Sequence, residues 1–260
     1  MPQTVRVILP VYNEAAIAAR VAAEVVAFAR GMGNDWHFVF VDDGSTDGTA
    51  AILADSLAAE PTSRVKLLAL GENYGKGQAI ERGIEGATED IIVFTDGDLA
   101  YSLDLIPEFV RGLLTHEIVI GSRDLAYAQA RREGRALPPG APALRRRIVG
   151  RAFNLLSRMV LGLGYPDTQA GIKAFRRDVA VDLFSARQVH GFGFDAEILF
   201  IAAKRGYTVT QIPVTVSANH NYKMSKVKIL KDGVQTLLEV MLIFVNHLLG
   251  NYRTRRRRNS

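Results

Sequence analysis

Ile91-Ile92-Val93-Phe94-Thr95-Asp96-Gly97-Asp98 is an apolar run that ends in two carboxylates separated by a glycine. The run lacks the alternation of a half-exposed strand, so it reads as a strand covered on both faces, as in a parallel sheet. Polar residues directly after such a strand sit at its carboxyl end, where open α/β sheets bind their ligands. The small spacer allows both carboxylates to turn toward one cation. Hard oxygen donors of this kind suit Mg²⁺ or Mn²⁺, which commonly bridge to substrate phosphates. Asp96 and Asp98 are therefore the candidate metal ligands. An isolated Asp-x-Asp is common in loops, and its position after a buried strand is what gives it weight.

Working outward, Val5 to Leu9, Phe38 to Val41, Val65 to Ala69 and Ile118 to Ile120 are further buried-strand runs. Helical patterns lie between them at Ala15 to Arg30, Gly48 to Ala59, Gln78 to Ala87 and Leu105 to Leu114. Thr46 and Asp47 are suitable N-caps for the second helix. This alternation predicts an α/β fold with a doubly wound, mostly parallel, Rossmann-like sheet. Four successive strand ends then carry polar groups on one rim: Pro10 to Glu14, Asp42 to Gly48, Asn73 to Gly77, and Asp96 to Asp98. Local turn chemistry explains any one of them; four on one rim point to a nucleotide site with a metal that neutralises a departing diphosphate.

The second half is less regular. Asp124 to Arg147 is charged and then proline- and glycine-rich, and reads as a mobile loop or hairpin. A helix is expected from Arg147 to Leu161, a strand at Gly171 to Phe175, a helix at Phe194 to Arg205 and a strand at Thr208 to Ser217 interrupted by Pro213. The last helix runs roughly from Ile229 to Leu249.

The 260 residues contain no cysteine, which excludes disulfides and thiolate metal sites, and carry a formal charge of +5. That charge favours an anionic partner. No helix-turn-helix, zinc finger or aromatic RNA-binding motif is present, so nucleic acid is not the expected partner. The five histidines lack metal-ligand spacing, and Trp36 reads as a packing residue.

Val7 to Glu14, Val41 to Thr49 and Asp96-Gly97-Asp98 together resemble the family-two glycosyltransferases, which have the GT-A fold. Gly121-Ser122-Arg123, Asp167-Thr168-Gln169-Ala170-Gly171-Ile172-Lys173, Phe194-Asp195-Ala196-Glu197 and Ser225-Lys226 resemble its polyprenyl-phosphate branch. That branch includes the dolichyl-phosphate glucosyltransferases and dolichol-phosphate mannose synthases. The resemblance implies inverting transfer of a hexose, glucose or mannose, from UDP-glucose or GDP-mannose to a polyprenyl phosphate. It assigns Pro10, Tyr12, Glu14 and Asp43 to the nucleoside, Lys76 to the nucleotide, and Asp96 and Asp98 to diphosphate and metal. Asp98 and Arg123 become catalytic candidates. Arg123, Arg147, Ser225 and Lys226 are expected on the acceptor-phosphate side. The alternative is a family-two transferase with a hydroxyl acceptor. Such an acceptor requires a general base, for which Asp195 and Glu197 are the candidates. At i and i+2 on a helix they do not share a face.

Residues 1–228 are expected to form the catalytic domain, and 229–260 an amphipathic helix with a basic tail. No run reaches the eighteen apolar residues of a spanning helix; Glu239, Asn246 and His247 interrupt the nearest one. Arg253 and Arg255 to Arg258 follow it. An apolar helix with a polybasic end predicts peripheral attachment to an anionic membrane surface. The N-terminus lacks the features of a secretion signal, so the cytoplasmic side is expected.

Overall fold

The computed structural model describes residues 3–59, 62–135, 158–189, 191, 193–217 and 229–252, of which 229–237 are described by backbone alone. The strands are β1 (Val5–Val11), β2 (Trp36–Asp42), β3 (Val65–Ala69), β4 (Ile91–Phe94), β5 (Ile118–Ser122), β6 (Lys173–Arg176) and β7 (Val209–Pro213). They form one sheet in the order β3-β2-β1-β4-β6-β5-β7. The α-helices are α1 (Ala15–Gly31), α2 (Thr49–Ala59), α3 (Lys76–Ile84), α4 (Ile106–Gly112), α5 (Arg123–Arg132), α6 (Arg177–Ala186), α7 (Phe194–Arg205) and α8 (Ile229–Leu248). The architecture is α/β with a mostly parallel sheet between helical layers, as the resemblance implied.

The register explains where the site forms. Pairing of β1 with β2 sets Val11 opposite Asp42, and pairing of β1 with β4 sets Ile8 opposite Phe94. The segments after these three strands therefore emerge on one rim. β6 is antiparallel to both β4 and β5, and Lys173 at its start pairs with Phe94 and Ile120 near their carboxyl ends. Residues preceding β6 thus reach the same rim from the other direction.

Both faces of β1 are buried. Val5, Val7 and Leu9 enter a core with α1 and α4, while Ile8 enters the opposite core with α3, α6 and α7. This double coverage is why the central strands lack alternation. Val240 and Ile243 of α8, and Tyr252 beyond it, are buried in the second core.

Two expectations need correction. The charged stretch after Asp124 is helical up to Arg132 rather than a loop or hairpin; residues 136–147 of that expectation lie outside the described residues. Ser122 Oγ accepts from Leu125 N at 3.3 Å and caps α5, and Ala126 and Ala130 bury its inner face. Its remaining polar residues misled the reading because only this narrow alanine stripe is buried. Helix α6 was not anticipated; it buries Val179, Ala180, Leu183 and Phe184 at helical spacing.

Candidate active site

A cleft of about 430 Å³ opens at the carboxyl rim of the sheet. The end of β1 contributes Pro10, Val11, Tyr12 and Glu14, and the end of β2 contributes Asp43. Asn73, Gly75 and Lys76 enter from the β3–α3 connection, and Asp96, Gly97 and Asp98 from the end of β4. Gly191 and Phe194 supply a further wall from the entrance to α7. The six residues expected at the nucleotide, together with Asp98, are brought together here.

The end of the cleft near Asp43 is shaped by hydrogen bonds between loops. Buried Asp43 accepts from Tyr74 N and Gly75 N at 2.9 Å each and from Asn73 Nδ2 at 3.1 Å. Burial raises its pKa above the ordinary aspartate value, against the lowering effect of those amides. Between them, Gly44 has φ +72° and an added Cβ would lie 2.2 Å from the backbone carbon of Glu72, so only glycine fits. Asn13, with φ 53°, accepts from Thr46 N at 2.8 Å through Oδ1, while its own N–H donates to Ser45 Oγ at 2.9 Å. Asp47 accepts from Thr49 N and from Ala15 N, both at 3.0 Å, joining the first turns of α2 and α1.

At the end near β4, Lys76 Nζ donates to Asp96 Oδ1 at 2.5 Å. Burial works against the ammonium, but the carboxylates of Asp96 and Asp195 outweigh it and raise the Lys76 pKa. The spacer in Asp96-Gly97-Asp98 has a steric reason beyond freedom of the carboxylates: a Cβ on Gly97 would lie 2.4 Å from Pro10 O. Asp98 Oδ1 accepts from Ala100 N at 3.0 Å across Leu99, whose φ of 55° is unusual for a leucine. Among the described residues no group of three histidine, cysteine or acidic side chains forms a metal cage. Two hard carboxylates at a cleft nevertheless fit a cation that completes its shell with substrate phosphate oxygens and water, as Mg²⁺ does.

The segment before β6 buttresses this end. Asp167 is buried and receives the Arg123 guanidinium in a two-pronged pair, Nε to Oδ2 at 2.7 Å and Nη2 to Oδ1 at 2.9 Å. Burial opposes the charge on each partner. The pairing prevails, lowering the Asp167 pKa and raising that of Arg123. Arg123, expected on the acceptor-phosphate side, is held along one edge of its guanidinium by Asp167.

The two base candidates separate. Lys173 is fully buried and donates to Asp195 Oδ1 at 2.5 Å and to Ala170 O at 2.8 Å. Burial lowers the Lys173 pKa, partly offset by Asp195. Glu197 is not among the residues lining the cleft, and its carboxylate is taken up by other groups. Its Oε1 accepts from Gln188 N and from Tyr252 Oη at 2.8 and 2.6 Å, and its Oε2 accepts from Val189 N at 2.8 Å. Arg147, Ser225 and Lys226 lie outside the described residues.

The sequence reading did not include Gly191, gave Phe194 no role beyond its motif, and missed the contact of Gly171 with Asp96. The Gly171-x-Lys173 pattern was available as a signal, but nothing local indicated that β6 runs antiparallel and delivers it to the rim.

The family model for glycosyl transferase family 2 matches residues 6–184. Dolichyl-phosphate beta-glucosyltransferase ALG5C of Trichomonas vaginalis is 29% identical over 248 residues, covering 91% of this chain and 70% of that one. A second enzyme of that name and organism, ALG5D, is 30% identical over 241 residues, covering 88% of this chain and 71% of its own. In structure, the glucosyl-3-phosphoglycerate synthase of Mycobacterium tuberculosis, crystallised with Mn²⁺, UDP-glucose and phosphoglyceric acid, superposes with a TM-score of 0.64. It is 18% identical, and the match covers 94% of this chain and 80% of that one. With the shared rim of β1, β2 and β4 carrying its motifs, the chain belongs to glycosyl transferase family 2.

Proposed function

We propose that this enzyme transfers a hexose, with inversion, from a nucleoside-diphosphate sugar to a polyprenyl phosphate. UDP-glucose is the favoured donor and GDP-mannose the competitor. The observation that carries the acceptor assignment is the state of the two base candidates. Asp195 is neutralised by Lys173, and Glu197 is taken up by two amides and a phenol. A hydroxyl nucleophile needs a base, whereas a phosphomonoester, with a second pKa of about 6, arrives ionised at neutral pH.

In the step proposed, an acceptor phosphate oxygen attacks the anomeric carbon as the bond to the β-phosphate oxygen breaks. No proton has to move. The protein's task is to position the two anions and offset their charge. Asp43, Tyr12, Pro10 and Glu14 would hold the nucleoside, and Lys76 would face the diphosphate. Arg123, with one guanidinium edge fixed by Asp167, would meet the acceptor phosphate with the other, and Arg147, Ser225 and Lys226 are proposed on the same side. Asp96 and Asp98 would hold Mg²⁺ or Mn²⁺, whose charge stabilises the leaving diphosphate. The Mn²⁺ and UDP-glucose bound by the structural neighbour support this reading.

The acceptor is a lipid, and α8 suits its location. Leu238, Met241, Leu242, Val245 and Leu248 are all exposed. At 100° per residue they fall within an arc of about 120°, opposite the buried Val240 and Ile243. The helix expected to be amphipathic is apolar on two opposite faces, one on the core and one outward. Water-facing helices carry polar residues outward. No helix among the described residues is long and apolar enough to cross a membrane. The basic residues of 253–258 complement anionic lipid. We therefore assign the outward face to an anionic bilayer surface on the cytoplasmic side.

The deciding experiment supplies purified protein with labelled UDP-glucose or GDP-mannose, and with polyprenyl phosphate or 3-phosphoglycerate as acceptor. Label entering the lipid phase from one donor supports the assignment. Transfer only to the hydroxyl acceptor overturns it.

A further inference from the structure

Helix α7 begins at the cleft, and its N-cap residue is Gly193, which has no side chain to cap the helix. An acceptor for the N-cap's own N–H comes from α8: Gly193 N donates to Glu239 Oε2 at 2.6 Å. A carboxylate at a helix N-terminus also meets the positive end of the helix dipole. The approach is close enough to dictate the sequence of the wall. A Cβ on Gly191 would fall 1.9 Å from Glu239 Oε1, and one on Gly193 would fall 2.9 Å from Glu239 Cβ. Gly191 itself lines the cleft.

The contacts continue inward. Phe194, next in the chain, packs so tightly on α3 that a Cβ at Gly77 would lie 3.0 Å from its ring. Its ring centroid is 6.0 Å from Lys76 Nζ, and Lys76 pairs with Asp96. A continuous set of packed groups thus runs from Glu239 through Gly193 and Phe194 to Lys76. Glu239 lies beside Leu238 and Leu242, which belong to the outward apolar face.

We propose that Glu239 is a positioning residue that couples seating of α8 on an anionic bilayer to the order of the donor cleft. The coupling rests on the membrane reading given above. Seating fixes α8, Glu239 fixes Gly191 and Gly193, and Phe194 then holds Lys76 against Asp96. The enzyme would bind its nucleotide donor best when it is already on the surface that holds its lipid acceptor.

The test measures donor KM with a water-soluble short-chain prenyl phosphate, with and without vesicles of phosphatidylcholine and phosphatidylglycerol. Vesicle binding is measured in parallel by co-sedimentation. For the unmodified enzyme, vesicles are expected to lower donor KM. Glu239→Ala should sediment with vesicles equally well yet lose this response, with donor KM about tenfold higher, the equivalent of one hydrogen bond to a charged group. Glu239→Gln keeps an acceptor oxygen and should fall between the two; it also serves if the alanine variant does not fold. Leu242→Glu with Val245→Glu should abolish sedimentation and the response but leave the vesicle-free KM unchanged. Vesicle binding without a KM response overturns the coupling alone. Failure of the unmodified enzyme to bind vesicles overturns both the coupling and the membrane reading. Equal KM values for Glu239→Ala and the unmodified enzyme on vesicles overturn the role of Glu239.

Discussion

The carboxylate of Asp96 lies directly over the α-carbon of Gly171: a Cβ built there would fall 2.1 Å from Asp96 Oδ2. Residues 75 positions apart in the chain thus share one space, because antiparallel β6 returns its leading segment to the end of β4. The absence of a side chain at 171 is a condition for the position of Asp96.

Gly171→Ala is therefore expected to displace the Asp96 carboxylate and impair turnover well before it unfolds the protein. Overpacking of this kind costs about 1–3 kcal/mol of stability. Thermal melts and kcat measured on the same preparation check this. Normal kcat in a folded variant would show that Asp96 can move without consequence.

Asp98→Ala should lose most turnover while remaining folded, since Asp98 sits at the cleft rather than in the core. Excess EDTA should abolish activity, and Mg²⁺ or Mn²⁺ should restore it. Full activity in EDTA would remove the metal from the proposed mechanism.

The Arg123–Asp167 pair predicts a sign for the acid response. Asp167 has a folded-state pKa below its unfolded value of about 3.9. Its stabilising contribution is fully present above the unfolded value and is lost as pH falls through the lower folded value. Denaturant melts of Asp167→Asn should be less stable than the unmodified protein at neutral pH, with the gap closing below about pH 4. A gap that widens in acid would contradict the assigned direction.

Tyr252→Phe removes the phenol from Glu197 and leaves a buried carboxylate with its two amides. Hydrogen bonds to charged groups contribute about 1.5–3 kcal/mol, so a loss of that order is expected in urea melts. Donor KM in solution should change little, because Glu197 does not line the cleft. A selective loss of turnover at full stability would return Glu197 to the catalytic candidates.

Removal of residues 253–260 should weaken binding to anionic vesicles, since each basic residue near such a surface contributes about 1 kcal/mol. High salt should mimic the truncation through screening. Turnover on a water-soluble prenyl phosphate should survive it. Unchanged sedimentation of the truncated protein in high salt would assign attachment to the apolar face of α8 alone.

The sequence by itself determined the central strands and the rim. Unbroken apolar runs such as Ile91 to Phe94 identify strands covered on both faces, and a parallel sheet necessarily gathers the segments that follow them at one end. Asp43, Lys76, Asp96 and Asp98 were legible for that reason. Helix α5 was obscured because its buried stripe is made of alanines, which carry a weak hydrophobic signal. Only the tertiary structure decided the direction of β6, and with it the meeting of Gly171 with Asp96 and of Asp167 with Arg123. It also separated Asp195 from Glu197: helical spacing put them on different faces, but only packing revealed which face holds Lys173 and which holds Tyr252. Glu239 read as a polar interruption in an apolar helix. Its hydrogen bond to Gly193, 46 residues away, depends on how two helices dock, and sequence periodicity within either helix carries no information about that contact.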